Sequence, residues 1–290
     1  MSKFTLDATI KSCGGSLLKL SHASEVTKTP MNVNVYLPPN YSSDLKIPVL
    51  LYLSGLTCTP QNVSEKAFFQ EKAAKYGFGL IFPDTSPRGA NIEGEEESWD
   101  FGTGAGFYVD SIAEPWNKNY NMYSYILNEL LPLVSTEYKG LDVENNCAIT
   151  GHSMGGYGAL MMYLRNKGKF TSCSAFAPIC NPMECPWGQK CFGNYLGDDK
   201  SEWAKYDPCE LIKTYQADEN ETILVHVGTA DVFHYRDDQL KPKNLVAAAA
   251  NSKITIDMNE VEGYDHSYYF ISSFVSEHVD FHRKNFKSKL

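Results

Sequence analysis

Seven short apolar runs punctuate the chain, at 33–37, 48–54, 79–83, 146–150, 172–177, 222–227 and 253–259. The second, PVLLYLS, is apolar without alternation, the pattern of a strand covered on both faces. Stretches of helical period stand at 62–76, 120–134, 154–165 and 267–284. Strands that alternate with helices of this length predict a mostly parallel central sheet with helices on both faces, an open α/β sandwich. The 290 residues contain no repeat and no Pro/Ser-rich linker, so 1–287 reads as a single domain with one large core. Two inserted segments break the rhythm. Residues 85–108 are acidic and glycine-punctuated, and 179–200 carries Pro182, Pro186, Gly188, Gly193 and Gly197 among aromatic residues. Both read as loops, the second placed over a pocket, because ligands in open α/β sheets bind beyond the carboxyl ends of the strands.

Composition narrows the function classes. Lys and Arg number 26 against 35 Asp and Glu, a net charge of −9. A nucleic-acid-binding face needs clustered cations, so that class is excluded. No apolar run approaches the ~18 residues of a membrane span, and 43% apolar content is too high for disorder. The eight cysteines form no CxxC, so zinc-ribbon and thioredoxin spacings are absent. The first fifteen residues lack the apolar segment of an export signal, which predicts an intracellular protein with reduced thiols and leaves three glycosylation sequons to chance. His278 and His282 are spaced i, i+4, but the intervening residues lack the Glu of HExxH, and both are expected at the surface. Gly102-Thr-Gly104-Ala-Gly106 has its third glycine one place early for a dinucleotide loop and no strand before it. Neither a cofactor nor a metal is expected.

The chemistry sits in Gly151-His152-Ser153-Met154-Gly155, which follows the strand CAIT and opens the helix GGYGALMMYL. This is a G-x-S-x-G nucleophile elbow in its strand–turn–helix context. A serine so placed stands exposed at a helix N-terminus, where free N–H groups favour developing negative charge. It needs a base. In chain order the partners should be an acid and then a histidine, and two post-strand loops supply Asp231 (Gly228-Thr-Ala-Asp231) and His266 (Gly263-Tyr-Asp-His266). Asp231 would fix the imidazole tautomer while His266 takes and returns the proton of Ser153. Asp265, Asp237 and Asp238 are rivals to Asp231, expected in solvent. His152 reads as a wall residue and His226 as a core histidine. The oxyanion amides should be those of Met154 and of Leu56, in the turn after VLLYL; such a donor typically supplies about 2.7–4 kcal/mol. Cys58, two residues on, is a candidate pocket thiol.

SGLTC (54–58), WDFGTGAGFYVD (99–110), GHSMGG (151–156), PWGQK (186–190), FGNYLG (192–197) and GYDHSYYFI (263–271) resemble the S-formylglutathione hydrolase, or esterase D, family of α/β-hydrolases. The matching motifs are spread over nearly the whole chain. The resemblance implies hydrolysis of S-formylglutathione to formate and glutathione, a step of formaldehyde detoxification, with side carboxylesterase activity and no cofactor. It carries the nucleophile, acid and base onto Ser153, Asp231 and His266, and the oxyanion amides onto Leu56 and Met154. Tyr157, Cys191 and Leu17 depart from residues common in that family. With a formyl group as substrate, Trp187 and the GTGAG backbone would narrow the pocket. Lys190 would be a donor for the carboxylates of glutathione, needed because the protein is net acidic. A broad carboxylesterase, an acyltransferase and a non-catalytic binding protein are the competing readings, and a homodimer is compatible with all of them. The terminal Ser288-Lys289-Leu290 spells the tripeptide read by the peroxisomal import receptor, so peroxisome, cytoplasm or both are the expected locations.

Overall fold

The computed structural model describes residues 3–287; the tripeptide 288–290 lies outside the described residues. Nine strands form one sheet: β1 (Thr5–Ser12), β2 (Gly15–Ala23), β3 (Pro30–Leu37), β4 (Val49–Leu53), β5 (Gly79–Pro83), β6 (Cys147–Gly151), β7 (Cys173–Phe176), β8 (Glu221–Gly228) and β9 (Ile254–Val261). Their order is β1-β2-β3-β5-β4-β6-β7-β8-β9. From β5 across to β9 every pairing is parallel, while β1, β2 and β3 join antiparallel at one edge. Strands β4, β5, β6 and β7 are buried along their whole length, as their unalternating apolar sequences require.

Helices cover both faces. Met154–Arg165 packs against β4, β6 and β7, and Tyr268–Asn285 lies across β7 and β8 beside Phe69–Tyr76. This is the α/β-hydrolase arrangement, and it turns the carboxyl ends of β4, β6, β8 and β9 toward one rim. Among the described residues no helix is long and apolar enough to cross a membrane.

The segment expected as a loop at 179–200 is largely helical: a 3-10 turn, Pro182–Glu184, leads into a helix over Pro186–Leu196. Pro186 sits at the first helical position, where its missing N–H costs nothing. Packing of Trp187, Cys191, Phe192 and Tyr195 outweighs the two internal glycines. The helix expected at 62–76 is two helices, Pro60–Lys66 and Phe69–Tyr76, parted where Phe68 takes φ 64°. The stretch 120–134 is helical but contains a π turn over Tyr125–Leu130.

His278 and His282 are buried, contrary to the surface position expected of them. The helix Tyr268–Asn285 turns both toward β7, where hydroxyls meet them. Ser174 Oγ bonds His278 Nδ1 and His282 Nε2 (2.8 Å each) and Thr150 Oγ1 (2.8 Å), and Ser172 Oγ bonds His282 Nδ1 (2.8 Å). His278 Nε2 continues the chain to His226 Nδ1 at 3.0 Å, and His226 Nε2 reaches the exposed Glu277 at 3.2 Å. His226 is the satisfied core histidine expected.

Candidate active site

The turn between β6 and its helix holds Ser153 at φ 58°, ψ −120°. This is a sparsely populated conformation for a non-glycine residue, costing about 1–3 kcal/mol, and it persists only where the surroundings impose it. They do. Ser153 N–H donates to the Phe176 carbonyl (3.0 Å), and its own carbonyl accepts from Tyr157 (2.9 Å) and Ile179 (3.3 Å). A Cβ on Gly155 would lie 2.0 Å from the Leu53 carbonyl oxygen, and one on Gly151 would lie 2.2 Å from that of Gly155. The two glycines are therefore steric necessities of the elbow.

Asp231 and His266 arrive on loops laced to one another. Thr229 N–H bonds the Val261 carbonyl (2.9 Å), Ala230 N–H the Tyr264 carbonyl (3.0 Å), and Gly263 N–H the Thr229 hydroxyl (3.0 Å). Asp231 is fully buried and caps the short helix Val232–Tyr235, accepting from Phe233 N–H at 2.9 Å. Its other oxygen accepts from His266 Nδ1–H at 2.5 Å. A carboxylate only accepts, so the bond places the proton on Nδ1 and leaves Nε2 with a lone pair. The rival acids are occupied elsewhere: Asp265 accepts from Ser267 N–H and Oγ–H, Asp237 pairs with Arg236, and Asp238 with Lys241.

A cleft of about 250 Å³ gathers Leu56, Cys58, Ser153, Trp187 and His266. In the turn after β4, Thr57 N–H is taken by the Gly104 carbonyl (2.9 Å) and Cys58 N–H by that of Gly55 (3.3 Å), whereas no acceptor among the described residues takes Leu56 N–H. Met154 opens its helix, where an N–H has no intrahelical acceptor. The turn is braced from behind. Thr85 Oγ donates to the Cys58 carbonyl at 2.6 Å, and Arg88, bound to the buried Asp84, donates to the same oxygen at 3.1 Å. The GTGAG segment thus supports the turn through Gly104.

His152 also lines this cleft, its ring 4.4 Å from that of His266. Burial, and then the neighbouring His266, hold its pKa well below the ordinary histidine value. A neutral His152 adds no charge opposing an imidazolium on His266. Cys58 is half-buried with Sγ 3.7 Å from the Tyr268 hydroxyl. Burial pushes its thiol up, against smaller opposing pulls from Tyr268, Lys66 and Arg88. Sequence reasoning missed Phe233, which packs edge-on against His266 at 4.9 Å and at a tilt against Trp187 at 4.8 Å. Its place two residues after the acid was the available signal. Lys190 does not line the cleft: its ammonium is spent on Asp100 Oδ1 (2.5 Å) and Ser98 Oγ (2.9 Å).

Residues 24–281 match the esterase family model. A Saccharomyces cerevisiae S-formylglutathione hydrolase is 51% identical over 288 residues, spanning 94% of this chain and 96% of that one. The chain belongs to the S-formylglutathione hydrolase family. The Rattus norvegicus member is 49% identical across 94% of this chain and 95% of its own. The Agrobacterium tumefaciens S-formylglutathione hydrolase superposes with a TM-score of 0.92 at 38% identity, covering 97% of this chain and 99% of that one. A ferulic acid esterase shares the fold at 17% identity and a TM-score of 0.68. The family places this chain among the serine hydrolases of the α/β-hydrolase fold.

Proposed function

We propose that this protein is a serine thioesterase that hydrolyses S-formylglutathione to formate and glutathione, in formaldehyde detoxification, with Ser153, His266 and Asp231 as its triad. The observation that carries the reading is the meeting of an elbow serine and an Asp231-bound His266 in one cleft, within a chain 51% identical to a relative of that name. Ser153 Oγ attacks the formyl carbon as His266 Nε2 takes its proton. The amides of Leu56 and Met154 receive the oxyanion. Collapse breaks the C–S bond, and the imidazolium returns its proton to the departing thiolate. Water, deprotonated by His266, then attacks the formyl-serine ester; the C–Oγ bond breaks to release formate, and the imidazolium returns its proton to Ser153 Oγ. Asp231 stabilises the imidazolium and holds its tautomer. Trp187 narrows the cleft toward a small acyl group. Because the same steps expel an alkoxide, carboxylic esters are side substrates.

The deciding measurement compares kcat/KM for S-formylglutathione with that for a p-nitrophenyl ester. A preference for the thioester is expected; a preference for the ester would make this a general carboxylesterase. A burst of p-nitrophenol on mixing is expected from the acyl-serine step, and its absence together with no turnover would leave a binding protein. Ser288-Lys289-Leu290 supports a peroxisomal address. Deleting the tripeptide should move a tagged protein to the cytosol and leave purified activity intact; peroxisomal import of the truncated protein would refute the address.

A further inference from the structure

Trp99 is 54% exposed yet lines the cleft, and its ring meets that of Trp187 edge-on at 5.5 Å. It sits at the corner of a tight turn closed by Phe101 N–H on the Ser98 carbonyl (3.4 Å). Both residues flanking Trp99 are bound by one cation, because Lys190 Nζ reaches Ser98 Oγ at 2.9 Å and Asp100 Oδ1 at 2.5 Å. Ser98 Oγ also donates to that Asp100 oxygen. Burial would raise the Asp100 carboxyl, but Lys190 and Ser98 outweigh it and hold the group below its ordinary value. Lys190 lies one helical turn beyond Trp187 on Pro186–Leu196, so one helix carries both the indole that Trp99 meets and the cation that grips the Trp99 turn. The same helix grips the turn again through Cys191 Sγ on the Asp100 carbonyl (3.5 Å) and through the Tyr195 hydroxyl, which accepts from Gly102 N–H (3.1 Å).

We propose that Trp99 is a specificity-determining wall of the cleft, and that Lys190 and Asp100 are positioning residues that clamp it against Trp187 and so restrict the enzyme to small acyl groups. Ser153 and both indoles line this one cleft of about 250 Å³, so an acyl group carried on Ser153 lies beside them. An acyl chain longer than formyl must part the two indoles. With the clamp closed, parting them means moving a turn tied at three points to the helix; with it broken, Trp99 swings toward solvent, where half its surface already lies. The inference rests on the esterase reading of the cleft but not on glutathione as the thiol.

The test is a series of p-nitrophenyl esters from acetyl to hexanoyl, with a constant leaving group. In Lys190→Met and Asp100→Asn the ratio of kcat/KM for hexanoyl over acetyl should rise about ten-fold, the scale on which hydrophobic pockets discriminate chain length. Lys190→Arg should stay near the wild-type ratio. The double variant should exceed neither single variant, because both break one pair. Trp99→Ala, at a half-exposed site, should show the same rise even if a clamp variant is poorly soluble. An unchanged ratio in Trp99→Ala, or in a folded Lys190→Met, would overturn the proposal. Failure to hydrolyse S-formylglutathione would count against the proposed function alone, since this ratio is read on esters.

Discussion

Ser153 is held in a strained turn that only its surroundings enforce, and that turn leaves no room for a side chain at Gly155. Gly155→Ala has no room for its methyl beside the Leu53 carbonyl, and should cost about 4 kcal/mol or more, read as a fall in the urea midpoint. Ser153→Ala and His266→Ala should remove most turnover, and Asp231→Asn should lower kcat about 10⁴-fold by presenting the wrong tautomer. Near-wild-type turnover in purified Ser153→Ala would remove the proposed nucleophile. Cys58→Ser should remain active, because the thiol is pushed toward its protonated form by burial and His266 has Ser153 to serve. At this scale the residues of the proposed triad stood out in the sequence. Gly-x-Ser-x-Gly between a strand and a helix is a local pattern, and Asp231 and His266 each follow a recognisable strand. Lys190 was not legible as a clamp, because its partners Ser98 and Asp100 lie some ninety residues away and only the fold brings them together.

The helix Tyr268–Asn285 begins one residue after Ser267, which caps it and directly follows His266. Farther along, His278 and His282 tie it to the hydroxyls of Ser174 on β7 and of Ser172 just before that strand. Ser174→Ala leaves two ring nitrogens and the Thr150 hydroxyl without this partner, so stability should fall by about 1–3 kcal/mol in urea unfolding. An unchanged midpoint would show that the hydroxyl contributes nothing net. The helix itself was legible from its period, but the burial of its histidines was not: their partners sit on a strand about a hundred residues earlier. Pro186–Leu196 was hidden for another reason. Two glycines and an N-terminal proline look like loop punctuation, and only the aromatic packing of Trp187, Phe192 and Tyr195 makes the segment helical.

Across the whole molecule, five histidines have depressed pKa values. Burial is the largest cause for His22, His152, His226, His278 and His282, the last brought down to about 3. The unfolded chain would take up protons at these side chains near their ordinary value of ~6.5, while the folded chain refuses them. Stability should therefore be fully present above pH 6.5 and decline as pH falls from there toward 3, each histidine adding up to about 1.4 kcal/mol per pH unit. A urea midpoint independent of pH between 7 and 4.5 would contradict this. The parallel body of the sheet could be read from its apolar runs. The β1 and β2 edge was not read: β1 alternates Leu6, Ala8 and Ile10 with polar residues, but it is mostly exposed and lacks the continuous apolar run that marks the buried strands. The order of the site along the chain has a further consequence. The turn after β4 and the elbow are both made by residue 155, but His266 follows more than a hundred residues later, at the threshold of the helix that must dock to hold it. During synthesis a nascent chain would carry a serine with no base, inert toward passing thioesters. Hydrolysis would switch on only once that helix has emerged from the ribosome and settled, so a product cut short before it would be silent instead of partly active.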